Sequence, residues 1–395
     1  MSFTARAIVS VAVLAAGGCS MRHVEMDRGY EGDAWPSTRA TYWIDRSAVA
    51  LVPNSVSDTL SLLDLSAGVV VATVPIGIDP VGRNGPHFAA FDRDAKYAYV
   101  TLQFPPPLAA GPHAAHGSSA IPGALLKIRT SDLSVESVLR LRTNPADFAF
   151  TPDGARLVVA HFDLARANDA AAAGKSAEEM RATVAIVDVA TMRIVAAPTT
   201  CIAPHGVAVS ADGARAFVAC YGEDAIGVIG LAGDYPVARW PLAATLATPA
   251  TMSLGPMVAV LGPDPRVLVV SETEGKEVRI LDTRDGATIA TVGVRGAPFL
   301  PASNADGSEW VVPVQAPDRL LVLSATTWTV SGQIALDPAV CSRPHMVARR
   351  LDRWFVVCEG DHEGPGSVVE LDAEWSVVRA MATGIWPNMM ATGTP

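Results

Sequence analysis

The sequence predicts an all-β fold, a single seven-bladed β-propeller whose ring is closed by the two ends of the chain. Three observations predict it: a motif that recurs seven times, strand-type alternation with almost no helical periodicity, and an incomplete repeat at each end. The length of 395 residues would by itself suggest two or three ordinary domains. A repeat with the period of a propeller blade favours one closed domain instead.

The recurring motif is a proline, one variable residue, and then apolar residues that alternate with small ones. The seven anchor prolines are Pro86, Pro145, Pro204, Pro256, Pro298, Pro344 and Pro387. Their spacings of 59, 59, 52, 42, 46 and 43 residues approach the period of about 40–50 residues of a four-stranded blade. Most anchors are followed by two strands joined by a tight turn, as at 204–220. Asp-Gly pairs at 153–154, 212–213 and 306–307 are typical of such turns, because glycine accepts a positive φ.

The chain ends supply complementary parts of one blade. Residues 47–77 provide second, third and fourth strands without a first strand, and residues 385–393 provide a first strand with nothing after it. We therefore expect the C-terminal first strand to pair with the N-terminal strands. Such closure removes the edges that an open sheet would expose.

The first 20 residues have the pattern of an export signal. Arg6 supplies a positive charge, and residues 7–18 are apolar but fewer than the roughly 20 needed to span a bilayer. The segment ends in Ala16-Gly17-Gly18-Cys19, which resembles the lipobox of bacterial lipoproteins, although that family usually has Leu, Val or Ile in place of Ala16. The resemblance implies that Cys19 is lipidated. The alternative is a plain secretory signal that is cleaved nearby.

These features divide the chain into a signal peptide over 1–18, a lipidated Cys19 with a flexible tether over 19–40, and the propeller over 41–395. Ser20 stands where an Asp holds the resembled lipoproteins in the inner membrane. The predicted location is therefore the outer membrane, on its periplasmic or cell-surface side. The expected partners are the membrane, through the lipid anchor, and an envelope protein or small ligand, with the chain itself monomeric.

Charge and motifs exclude several functions. The formal charge of −10, the lack of Lys/Arg runs and an aromatic content of 6% argue against nucleic-acid binding. No dinucleotide fingerprint, phosphate loop, Gly-x-Ser-x-Gly elbow or His-Glu-x-x-His occurs, so neither a nucleotide nor a known catalytic motif is indicated.

The repeat resembles a known family. The segment PHGVAVSADGARAFVAC over 204–220, with IGVIGLA after it, is similar to the repeat of the YVTN (YncE-like) β-propellers of bacterial periplasms and surfaces. The resemblance covers roughly residues 45–393 and implies the fold, whereas propellers of this kind serve many functions. The Asn that ends the family's second strand is replaced here by His161, Cys220 and Cys358.

Most histidines are expected on one face of the ring. The start of strand one, the end of strand two and the loop to strand three share a face in an antiparallel blade. Seven of the eight histidines fall at these positions: His87, His205 and His345 after anchors, His161 at the end of a second strand, and His113, His116 and His362 in loops. The residues after the anchors are His87, Ala146, His205, Met257, Phe299, His345 and Asn388.

Three imidazoles with a thioether suit copper or another divalent metal in an oxidising compartment. The predicted metal or ligand site therefore comprises His87, His205, His345, Met257, Asn388 and His161. The alternative is that these histidines cap the channel and hydrogen-bond to water or neighbouring carbonyls.

The cysteines repeat with the same geometry. Cys201-x-x-Pro204-His205 recurs as Cys341-x-x-Pro344-His345, and Cys220 and Cys358 end the neighbouring strands. Adjacent strand ends bring Cα atoms within disulfide range, so bridges Cys201–Cys220 and Cys341–Cys358 within blades are predicted. A Cys/His metal site in each blade is the alternative. Covalent haem is excluded, because its motif needs a second Cys where the Pro stands.

Two long insertions, at 102–123 and 162–182, are expected beside the channel mouth. Ser176 and Glu179 form a capping-box pattern that predicts a short helix in the second insertion. The predicted function is an envelope binding scaffold for a metal ion, small ligand or partner protein, rather than an enzyme. The alternatives are a lactonase-like or lyase-like propeller enzyme and a copper redox protein using the same histidines.

Overall fold

Seven antiparallel sheets form a ring in the computed structural model, which describes residues 34–35, 40–103 and 122–393. The predicted seven-bladed β-propeller is thereby confirmed. The export signal, Cys19, most of the tether, His113, His116 and most of the first insertion lie outside the described residues. No helix within those residues is long and apolar enough to cross a membrane.

Blades 1–6 are numbered after the anchor prolines in chain order, and blade 7 is the closing blade. Blade 7 contains β1 Val49–Asn54, β2 Thr59–Asp64, β3 Val69–Pro75 and the C-terminal β30 Ala391–Thr392; blade 1 contains β4 Pro86–Phe91, β5 Tyr97–Leu102, β6 Ala124–Arg129 and β7 Val135–Arg140. Blade 2 contains β8 Phe148–Phe150, β9 Arg156–Ala160, β10 Ala182–Asp188, β11 Arg193–Ala196 and the short β12 Thr199–Cys201.

The remaining blades follow the same order. Blade 3 contains β13 Pro204–Val209, β14 Arg215–Cys220, β15 Ala225–Gly230 and β16 Val237–Pro241; blade 4 contains β17 Pro256–Leu261, β18 Val267–Glu272, β19 Glu277–Asp282 and β20 Thr288–Gly293. Blade 5 contains β21 Ala297–Pro298, β22 Ala302–Ser303, β23 Glu309–Gln315, β24 Arg319–Ser324 and β25 Thr329–Ala335; blade 6 contains β26 Pro344–Arg350, β27 Arg353–Cys358, β28 Pro365–Leu371 and β29 Val377–Ile385.

The core lies between neighbouring blades. Second strands are buried on both faces, since their Val, Leu and Ile side chains pack against the sheets on either side. Leu51 and Leu62 of blade 7, for example, share a buried cluster with Val100 and Leu126 of blade 1. Outer strands such as β3 instead alternate exposed with partly buried residues. The Asp-Gly turns form as predicted, with φ of 70° at Gly154, 69° at Gly213 and 73° at Gly307.

The two chain ends close the ring as predicted. Strand β30 pairs with β1 through Leu51↔Ala391 and Ala50↔Thr392, which completes the order β3-β2-β1-β30. The C-terminal first strand is shorter than expected, because residue 385 belongs to β29 and the chain then turns at Trp386, whose φ is 58°. Pro387 has no N–H to donate and makes only an isolated bridge to Asn54.

Both predicted disulfides are present. The Cα–Cα distance is 5.8 Å for Cys201–Cys220 and 5.2 Å for Cys341–Cys358. One detail differs from the prediction: Cys201 lies on β12, which pairs with β10 of the preceding blade. The first bridge therefore joins blades 2 and 3 rather than two strands of one blade.

The second insertion contains two helices, α1 Leu164–Ala172 and α2 Ala177–Met180. The predicted capping box at Ser176 and Glu179 starts α2. The first helix was not predicted, because its nine residues are Ala-rich and its amphipathic pattern spans little more than two turns. Arg166 of α1 donates to the main-chain oxygens of residues 179, 180 and 181 and thereby joins the helices.

The packing of the C-terminal segment between blades 6 and 7 should contribute measurably to the stability of the closed ring. Met390 is 1% exposed and packs between blades 6 and 7 against Leu63 and Phe355. We expect Met390→Ala to lower the free energy of unfolding in urea by about 2–4 kcal/mol, as for other buried Met-to-Ala changes. Val378→Ala, at a residue 45% exposed on the outer strand of blade 6, should change it by less than about 0.5 kcal/mol. Equal effects of the two variants would contradict the interpretation.

Candidate functional site

The start of a blade has a recurring backbone geometry at the channel mouth. The residue before the anchor proline has φ between 51° and 58° in five blades, at Gly85, Ala203, Gly255, Arg343 and Trp386. In four blades the ladder then skips a residue, as shown by register shifts after Pro86, Pro204, Pro256 and Pro344. A bulge of this kind takes the next residue out of the ladder and re-aims its side chain. Those next residues are His87, His205, Met257 and His345.

Two histidines and one aspartate meet at the mouth. His87 Nε2 lies 3.4 Å from Asp147 Oδ1, and His205 Nδ1 lies 3.7 Å from Asp147 Oδ2. The imidazole centroids of the two histidines are 5.4 Å apart. The three residues come from consecutive blades 1, 2 and 3, and all are buried.

This trio has the dimensions of a metal site. One donor atom from each residue lies within 4.8 Å of the others, the one such group among the described residues. Because zinc holds its ligands at about 2.0–2.2 Å, two ligands of one ion are at most about 4 Å apart. If the distances between the three donor atoms shortened by less than about 1 Å, all three could therefore bind one ion.

Asn388 connects this trio to His345. The Asn388 side-chain nitrogen lies 3.2 Å from His87 Nδ1, and its main-chain oxygen accepts a hydrogen bond from His345 Nδ1. His345 therefore belongs to the same mouth but reaches the trio through Asn388. Its ring packs on Phe299, with centroids 4.6 Å apart.

The other two predicted residues contribute differently. Met257 contacts the site through its main-chain oxygen, which accepts a hydrogen bond from His205 Nδ1 at 3.1 Å, while its side chain joins an apolar cluster with Phe162 and Ile202. His161 Nδ1 lies 3.0 Å from the hydroxyl of Thr183 in its own blade. His161 is not part of the trio.

Asp147 was missed by the sequence analysis, which placed Ala146 at the mouth of blade 2. The ladder of that blade begins at Phe148↔Val159 without a register shift, so the inward position moves by one residue. A signal was available, because the second residue after an anchor is apolar or Gly in every other blade: Phe88, Gly206, Val258, Leu300, Met346 and Met389.

Burial sets the charges of the trio. It lowers the pKa of His87 to about 3 and that of His205 to about 4. Burial also raises the pKa of Asp147 to about 6, opposed by the attraction of His205 and His345. At pH 7 the trio is therefore two neutral imidazoles and one carboxylate, the protonation states that metal binding requires.

The hydrogen bond to Met257 also fixes the tautomer of His205. A carbonyl oxygen can only accept, so Nδ1 carries the hydrogen and Nε2 keeps its lone pair. Metal-binding histidines in proteins use this arrangement, with the second nitrogen donating to a carbonyl or carboxylate. Nε2 is therefore the nitrogen of His205 that could bind an ion, whereas the 3.7 Å approach to Asp147 is made by Nδ1, which carries the hydrogen.

The fold and this mouth define the class of protein, a seven-bladed β-propeller with polar groups gathered at one end of its channel. Solved propellers resemble it at low sequence identity. A Bacteroides fragilis protein provisionally assigned as a 6-phosphogluconolactonase is 12% identical, with TM-score 0.62 over 88% of this chain and 98% of that one. Kuenenia stuttgartiensis hydrazine synthase is 17% identical, with TM-score 0.61 over 80% and 91%.

Apo AztD from Citrobacter koseri is 10% identical, with TM-score 0.54 over 87% of this chain and 96% of that one. None of the family models matches the chain, and neither does any curated protein. At these identities the likeness establishes the propeller fold alone, and propellers with this fold differ widely in what they do.

The charge of Asp147 should destabilise the protein when no cation is bound. Its pKa is raised from 3.8 in the unfolded chain to about 6 in the folded one, so its ionised form opposes folding above about pH 6. We expect Asp147→Asn to raise the free energy of unfolding of metal-free protein at pH 7.5 by about 1–3 kcal/mol. The gain should shrink between pH 6 and pH 4, where the folded wild type binds the proton.

Asp153→Asn is the matched control in the same blade, because Asp153 is exposed and hydrogen bonds from Thr151 and Ala155 lower its pKa. This control should bring no gain in stability. Chelator-treated protein and urea unfolding provide the measurement. A loss of stability in Asp147→Asn would show that the carboxylate is structural and would overturn this account.

Proposed function

We propose that the chain is an exported, lipid-anchored β-propeller that binds one divalent transition-metal ion at its channel mouth through His87, Asp147 and His205. The observation that supports it most is the buried convergence of two neutral imidazoles and one carboxylate from three consecutive blades. Buried charges in proteins are paired or coordinate metals. Asp147 has only these histidines as ion-pair partners within 4 Å among the described residues.

The donor set selects the ion. Two imidazoles and a carboxylate suit Zn²⁺, Cu²⁺, Ni²⁺ or Co²⁺, whereas Ca²⁺ and Mg²⁺ prefer oxygen ligands throughout. Copper(I) prefers sulfur ligands, and the sulfurs of Met389 and Met346 already accept main-chain hydrogen bonds. Met389 Sδ accepts from the N–H of Ala89 at 3.3 Å, and Met346 Sδ accepts from the N–H of Met390 at 3.1 Å. These contacts favour a divalent-ion binding protein over a copper redox protein.

The cysteines support an exported location. Two disulfides support export, because such bridges persist in oxidising compartments. Lipidation at Cys19 and attachment to the outer membrane rest on the sequence of the leader. An envelope location would place the metal site where ions enter the cell.

Loss of the carboxylate should remove the proposed ion. We expect Asp147→Asn and His205→Ala each to bind one Zn²⁺ fewer per chain than wild type in equilibrium dialysis with metal analysis. Asp153→Asn should bind as wild type does. Unchanged zinc content in both site variants, with far-UV circular dichroism intact, would refute the proposed site.

Lipidation at Cys19 predicts membrane partitioning. Cys19→Ala should move the protein from the membrane fraction to the periplasmic fraction or leave it unprocessed, because no thiol is then available for the lipid. Metabolic labelling with a fatty acid, followed by fractionation, provides the measurement. Labelling of the variant at the wild-type level would contradict lipidation at this residue.

A further inference from the structure

The outer side of the ring at blades 6 and 7 carries most of the exposed apolar side chains. Among the described residues, 11 large apolar side chains are 40% exposed or more. Five of these lie singly at other positions on the ring, which is ordinary for a protein surface. The other six are gathered on the outer strands of blades 6 and 7 and on the segments that flank blade 7: Trp43, Val69, Val71, Val81, Val377 and Val378.

The outer strands β29 and β3 form one continuous apolar face. Arg379 of β29 donates a hydrogen bond at 2.7 Å to the main-chain oxygen of Ala67, in the turn before β3. Val70 of β3 packs in the same cluster as Met381 of β29. The exposed positions of the two strands carry no charge; they are Val69, Val71, Thr73, Pro75, Val377, Val378, Ala380 and Ala382.

The outer strand of blade 5 has a different surface. Its single exposed valine, Val330, lies among the polar residues Thr329, Ser331 and Gln333. A contiguous apolar patch marks an interaction surface, whereas a single exposed apolar side chain does not. The face of blades 6 and 7 is therefore the one that calls for a partner.

The N-terminal segment extends this face on the other side of blade 7. Tyr42 and Ile44 pack against the buried cluster between blades 7 and 1, whereas Trp43 between them is 91% exposed. Tryptophan is usually well buried in soluble proteins. Its apolar ring and polar N–H suit the boundary between membrane and water, where tryptophan is enriched.

The chain also reaches blade 7 from the direction of the predicted lipid. Trp35 and Gly77 exchange two main-chain hydrogen bonds of 3.0 Å, and Gly77 lies just after β3. Ala34 follows Cys19 by 15 residues, which span at most about 50 Å when fully extended. A lipid on Cys19 would therefore hold blade 7 near the bilayer and raise the effective concentration of the apolar face at its surface.

We propose that the outer side of blades 6 and 7 docks on the lipid bilayer, with the valines of β3 and β29 and the indole of Trp43 in contact with the membrane interface. The proposal rests on the lipid anchor of the proposed function, which supplies proximity to the membrane. Contact through the circumference of the ring leaves both ends of the channel open to solvent. The mouth with His87 and Asp147 then remains accessible from the aqueous phase.

Quenching of Trp43 fluorescence by brominated lipid tests the docking. The full chain, isolated from membranes, is reconstituted in vesicles of phosphatidylcholine brominated on its acyl chains; this lipid has no net charge and does not repel a chain of formal charge −10. Subtracting the emission of Trp43→Phe from that of wild type isolates the emission of Trp43. We expect this emission to be quenched relative to vesicles of unbrominated lipid.

A double variant with Val71→Glu and Val378→Glu should lose this quenching, because carboxylates do not enter the apolar side of the interface. Val330→Glu is the matched control, since Val330 is 44% exposed and Val378 is 45% exposed, each on an outer strand. It should be quenched as wild type is. Circular dichroism checks that each variant is folded.

The mass of the same preparation reports whether Cys19 carries a lipid, so docking and anchor can fail separately. Lipidated protein whose Trp43 is not quenched would overturn docking and leave the anchor intact. Quenching in protein without a lipid would support docking and overturn the anchor. Equal loss of quenching in the double variant and in Val330→Glu would show that no defined face is used. A dimer that the double variant dissociates in sedimentation analysis would assign the face to a second copy and overturn docking.

Discussion

The architecture of the channel mouth depends on one backbone constraint, the bulge that follows the anchor proline. A left-handed residue turns the chain inward, the proline has no N–H for the ladder, and the next residue is left outside it. Side chains at that position lie at the mouth in blades 1, 3 and 6, whereas in blade 4 the side chain of Met257 packs in an apolar cluster and its main chain faces the site. The main-chain oxygens of Met257 and Asn388 then accept hydrogen bonds from His205 and His345 of the preceding blade. One repeated turn thus fixes both the direction and the tautomer of these imidazoles.

The sequence repeat made the fold predictable. The candidate site was harder to predict, because individual blades depart from the repeat in their strand register. Seven anchors, two complementary ends and paired cysteines are each visible in the sequence, because every one is a local pattern with a fixed spacing. Asp147 was missed because blade 2 lacks the bulge, which shifts its inward position by one residue. The bridge from Cys201 crosses blades because Cys201 ends the three-residue strand β12, which pairs with β10 of blade 2. Such offsets depend on ladder register, which a single sequence does not specify.

The buried carboxylates show two ways of managing charge in one protein. Glu223 and Glu272 are paired with guanidinium groups, which remain charged at any physiological pH. The Glu223 pair holds the insertion of blade 2 to blade 3, and the Glu272 pair joins two strands of blade 4. Asp147 has imidazoles in that position, and imidazoles leave the carboxylate charge uncompensated when they are neutral. Such a carboxylate lowers the stability of the folded protein when the site is empty, and a bound cation raises it again. This behaviour is expected of a binding site, because a ligand that binds only the folded state stabilises that state.

The insertion in blade 2, over residues 162–182, provides an apolar environment that suits His205 for metal binding. Phe162, where the insertion begins, packs edge-on against His205 with centroids 4.9 Å apart. Helices α1 and α2 continue the apolar cover through Ala167 and Met180, and Arg181 ties its end to the buried Glu223. By keeping water from His205, this cover contributes to the desolvation that lowers its pKa. The insertion therefore acts on the site through its dielectric environment: an imidazole that stays neutral well below pH 7 remains able to bind a metal ion where an exposed histidine would already be protonated.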